Sequence, residues 1–110
     1  MQRVRGLEQA RVALSAGERQ LISEPFAACY AGVNYFQAVL KQLHTEFPND
    51  DFSFTLCCGD NAAIAHDALR LGFTSVLCDC GPGQFDELMQ VAQSLGATLV
   101  RPSNGLDPAA

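Results

Sequence analysis

The chain has no tryptophan, only two tyrosines and only two histidines. Scarce histidine leaves little material for imidazole metal sites or for a nucleophile activated by a neighbouring His. Cations are scarce as well. Seven Lys and Arg stand against twelve Asp and Glu, a formal charge of −5. A protein that follows a phosphate backbone needs a basic stripe, and none is visible, so nucleic acid is not an expected partner. No apolar run approaches the ~20 residues that cross a bilayer, so no membrane partner is expected either. The opening MQRVRGLEQARVAL carries charges where a secretory leader has its apolar segment. The phosphate-cradling patterns GxGxxG and GxxxxGKS/T are missing, and so is the GxSxG nucleophile elbow.

What remains is a chain of 110 residues, 48% hydrophobic and only 17% charged. That length fits one domain. The apolar fraction is high for a small domain, so some apolar surface is expected to serve a partner. Five cysteines occur, at Cys29, Cys57, Cys58, Cys78 and Cys80. An odd count without an export signal points to reduced thiols and a cytoplasmic location.

Periodicity divides the chain into alternating helices and strands. Leu7, Ala10 and Leu14 lie at helical spacing within residues 5–16. Gln20–Ser23 reads as a short strand, ended by Glu24 and Pro25. From Phe26 to Phe47 an apolar residue recurs every three or four positions, through Cys29, Val33, Phe36, Leu40 and Leu43. This predicts one long helix, with Gly32 either a packing point or a later start. Phe52 to Cys58 alternates as a strand, and Asp60 or Asn61 can cap the helix that follows. That helix reaches about Leu71, with Ile64, Ala68 and Leu71 expected inward. Thr74–Asp79 is a strand broken by Gly81, Pro82 and Gly83. A helix with Phe85, Leu88, Ala92 and Leu95 on one face leads to a last strand at Ala97–Val100.

The expected order is therefore αβαβαβαβ. Such alternation favours an α/β fold of about four mainly parallel strands with helices packed on the sheet, a Rossmann-like or flavodoxin-like layer. A half β/α barrel completed by another chain is the lesser alternative. Residues 1–102 are expected to form the single domain, and 103–110 a frayed tail.

In open parallel sheets, ligands bind beyond the C-terminal strand ends. That edge would gather Glu24, Asp60, Asn61, Asp79 and Gly81, a candidate small-molecule or anion site. Helix starts after Asp60 and Gly81 offer free N–H groups, although the two acids oppose an anion. Thiol redox or metal binding through Cys57, Cys58, Cys78 and Cys80 is a weaker reading, because CC and CxC are not the CxxC spacing of thioredoxin-like or zinc-knuckle sites. No catalytic residue, metal or cofactor is assigned. The stretch VLCDCGPGQFDEL resembles the acceptor-aspartate strand and loop of response-regulator receiver domains, with Asp79 in the acceptor place. Paired acids after the first strand and a lysine-bearing fifth strand are lacking, so membership is not inferred.

The helix from Phe26 to Phe47 carries apolar residues on more than one side. Tyr30, Tyr35, Phe36 and Val39 are therefore the candidate interface. The function expected is a non-enzymatic module that self-associates, a homodimer being favoured, or docks a protein partner.

Overall fold

The computed structural model describes residues 1–101. Its sheet has five parallel strands: β1 (Gln2–Val4), β2 (Gln20–Ser23), β3 (Ser53–Cys57), β4 (Ser75–Leu77) and β5 (Thr98–Val100). Between them run α1 (Leu7–Ser15), α2 (Ala27–Ala31), α3 (Val33–Glu46), α4 (Ala62–Arg70) and α5 (Pro82–Leu95). The expected parallel α/β layer is present, with one strand more than the sequence suggested. The extra strand, β1, pairs in parallel with β2, setting Arg3 beside Ile22 and Val4 beside Ser23. Three residues are too few to show an alternating pattern.

The strands lie side by side in chain order, β1-β2-β3-β4-β5. Right-handed crossovers that always step in one direction place every helix on one face. The helices accordingly touch in series, α1 on α3, α3 on α4 and α4 on α5. The main core lies between this helix layer and the sheet. It contains Val4, Leu21, Phe54, Leu56, Val76 and Leu99 from the strands, with Leu14, Phe36, Leu43, Leu69 and Leu88 from the helices. The Phe36 ring lies 6.2 Å from that of Phe54. The opposite face carries a second cluster, Ile22, Cys57 and Leu77 with Val100 against it. Beside these apolar groups Thr55 and Ser75 share a 2.8 Å hydrogen bond, which satisfies two hydroxyls on a largely apolar surface.

The predicted helix from Phe26 to Phe47 is two helices. Gly32 separates them with φ +91°, a conformation that an L side chain resists. The three-and-four spacing persists across the break, which is why the stripe reads as continuous. Two other expectations shift in phase. Leu71, expected inward, is 39% exposed, and Leu95 is 54% exposed, while Leu69 fills the core at 2%. Leu71 is the C-cap that follows α4, where Gly72 turns the chain away. At the other end of α4 the Asn61 side chain accepts a 3.1 Å hydrogen bond from Ile64 N–H, the expected cap. Between α1 and α3, Arg11 donates to both carboxylate oxygens of Glu46, at 2.7 and 2.5 Å, and also contacts Glu8. The expected tail at 103–110 lies outside the described residues.

These roles differ in energetic weight. Phe36→Ala removes a ring that is 1% exposed, and urea unfolding is expected to show a loss of about 3–5 kcal/mol. Asn61→Ala, which deletes only the cap, is expected to cost about 1 kcal/mol in the same assay.

Candidate functional site

All strands being parallel, the loops after β2, β3 and β4 emerge at one edge of the sheet. The structure therefore does bring Glu24, Asp60, Asn61, Asp79 and Gly81 to the same side. Asp79 N–H donates to Gly59 O at 2.8 Å and joins two of these loops. Phe26 joins the third. It is held at φ +60°, and its ring occupies the space beside Gly59, where an added Cβ would come within 2.2 Å. Left-handed backbone at a bulky residue is strained and persists only when packing enforces it. Asn61 uses its side chain as a helix cap, and Asp60 and Asp79 are exposed. Doubly wound sheets bind ligands in the crevice where strand order reverses. The consecutive order here contains no reversal.

The cysteines follow from the same edge. Cys58 and Cys78 continue β3 and β4 and are fully buried on the helix side. Cys80 is buried and Cys29 is exposed. The Cys29 thiol donates to the Cys58 carbonyl at 3.4 Å. Cys57 points to the other face, where its N–H donates to Ser23 Oγ at 2.9 Å and its thiol to Ser23 O. Burial pushes the Cys58 thiol well above the ordinary range, with Cys78 adding to the effect. Burial also raises Cys78, to about 12, with Cys80 contributing next. Such thiols stay protonated at neutral pH and are poor nucleophiles or metal ligands. Among the described residues, no group of three or more His, Cys, Asp or Glu is placed to hold a metal ion.

A groove lies to one side, between the α2–α3 junction and α4. It measures about 540 Å³, and its lining includes Cys29, Val33, Ile64, Asp67, Arg70 and Leu71. The break at Gly32 shapes its wall, because α2 ends there and α3 starts on a new path. Tyr30, next in the chain to the groove-lining Cys29, is 84% exposed, and Phe26 just before α2 is 38% exposed. Tyr35, also expected at an interface, lies edge-on to Phe36, with its hydroxyl 2.7 Å from where a Gly6 Cβ would be. Phe36 and Val39 point into the core. Of the four candidate interface residues, only Tyr30 and Tyr35 reach the surface.

Family models, curated proteins and solved structures provide no match to the chain. The chemistry must then be read from the geometry alone. The strand-end loops carry Glu24, Asp60 and Asp79 to one edge, use Asn61 as a helix cap, tie the Asp79 N–H to the Gly59 carbonyl, and set the strained Phe26 ring against Gly59. The groove combines aliphatic carbon from Val33, Ile64 and Leu71 with two charged side chains, Asp67 and Arg70. Its α4 wall was missed in the sequence because Ile64 and Leu71 match an inward helical stripe. Only the three-dimensional phase of α4 turns them toward the groove.

The buried thiols set a chemical expectation. At neutral pH, iodoacetamide should alkylate Cys29 in the folded protein and all five cysteines after unfolding, read by mass spectrometry. The pH dependence has a definite sign. A folded-state thiol raised from 9.0 to about 12 retains a proton that the unfolded chain has lost. Its contribution to stability is therefore complete below about pH 9 and declines as pH rises toward 12. Urea midpoints measured across that interval should fall.

Proposed function

We propose that the chain is a non-enzymatic docking module that receives a protein partner at the groove between the α2–α3 junction and α4. The observation that carries this reading is Tyr30, 84% exposed and next in the chain to Cys29, which lines a groove of about 540 Å³. A tyrosine so exposed has its apolar ring in water, and aromatic rings of this kind anchor interfaces when a partner removes that water. Leu71, more than a third exposed, extends the apolar surface along the groove wall. Asp67 and Arg70 give the groove a polar border, the arrangement that interfaces share. Docking is also consistent with the state of buried Cys58 and Cys78, whose thiols stay protonated at neutral pH.

Site-specific photocrosslinking in cells tests this reading. A photoreactive phenylalanine analogue at position 30 of the full chain should form one discrete protein adduct. The same analogue at position 93, on the exposed side of α5, should form none. Leu71→Glu should lower the yield at position 30 several-fold, since a carboxylate would then be desolvated in the contact. Absence of an adduct at position 30, or equal adducts from both positions, would overturn the proposal.

A further inference from the structure

Resting on that docking reading, we propose that the groove's occupant is a second copy of this chain. The two copies are related by a two-fold axis, with Tyr30 of each seated in the groove of the other and the two α4 helices antiparallel. The argument starts from charge. The chain carries −5 overall, so two copies repel in net charge and a contact between them needs a locally balanced patch. The α4 wall of the groove offers one. Asp67 and Arg70 stand one turn apart on it, both exposed. Neither has an ion-pair partner among the described residues.

Opposite charges three residues apart on one helix form a self-complementary pattern. When such a helix meets its own copy antiparallel, Asp67 of one copy faces Arg70 of the other, and the reverse pair forms at the same time. A two-fold contact requires this reciprocity, because the same patch serves both sides. A different partner would have to supply the matching pair by itself.

The apolar part obeys the same logic. A two-fold contact needs a protrusion and a recess within one patch, and Tyr30 stands next to a groove lined by its chain neighbours Ala28, Cys29, Gly32 and Val33. Ile64 and Leu71 supply carbon on the facing wall. Aromatic and aliphatic groups then form the dry centre, with the charge pairs at the rim. At a rim, charges set register and partner choice more than affinity.

Sedimentation equilibrium from micromolar to near-millimolar concentration, with the full chain, tests the inference. The wild type should approach twice its 11.8 kDa mass. Asp67→Arg or Arg70→Asp alone should weaken association about tenfold or more, since each creates a like-charge contact. The double variant Asp67→Arg with Arg70→Asp restores both pairs with their signs exchanged. It should return to within about threefold of the wild type, a coupling that unrelated sites do not show. Tyr30→Glu should give a monomer. All these positions are exposed, and unchanged urea midpoints will show that the variants fold. A wild type that stays at 11.8 kDa throughout, or a double variant as weak as the single ones, overturns the self-association. The crosslinking outcome separates the two levels. An adduct at position 30 whose mass differs from that of a dimer would keep the docking reading and remove the second copy. No adduct would remove both.

Discussion

The architecture depends on one constraint: every crossover steps to the next strand in the same direction. Crossover handedness then leaves no choice about where the helices go, and they form one layer on one face of the sheet. From this follow the large core under the helices, the small separate cluster of Ile22, Cys57 and Leu77 on the other face, and the gathering of the strand-end loops at one edge. It also removes the crevice that doubly wound sheets use for ligands, because strand order never reverses. An edge rich in polar residues is thus present without the reversal of strand order that opens such a cleft.

Two local features give this frame its surface. The first is the contact between Phe26 and Gly59, which holds the loops after β2 and β3 together and keeps a bulky residue in left-handed backbone. The second is Gly32, whose positive φ divides the apolar stripe into two helices. The consequences run in opposite directions. Phe36 and Val39 are carried into the core by α3, and Tyr30 is left in solvent by α2. Without the break at Gly32, α2 and α3 would share one axis, and the groove wall would be different. The proposed contact surface is therefore a product of a backbone break, more than of any motif.

The cysteines illustrate how burial outweighs proximity. Four of them lie near one another at the strand ends, which on paper resembles a redox or metal site. Desolvation raises Cys58 and Cys78 and keeps them protonated. Their positions on strands that run into the core explain both facts. They pack as small hydrophobes between the sheet and the helix layer, as buried cysteine commonly does.

Local pattern alone determined much of this protein. The alternation of helix and strand, the parallel class, the cap at Asn61 and the convergence of Glu24, Asp60 and Asp79 on one edge were all legible, because helical and strand periods and turn residues act over a few neighbours. Three things were decided only in three dimensions. A three-residue strand, β1, exists because β2 offers it a partner. The strand order follows from how crossovers pack, which no local spacing records. The exposure of Tyr30, Leu71 and Leu95 against the burial of Phe36, Val39 and Leu69 depends on the exact phase and breakpoints of the helices. A shift of one residue turns a helix by about 100°. The composition of an apolar stripe is thus written in the chain, while the side of it that meets solvent is set by the packing of the whole.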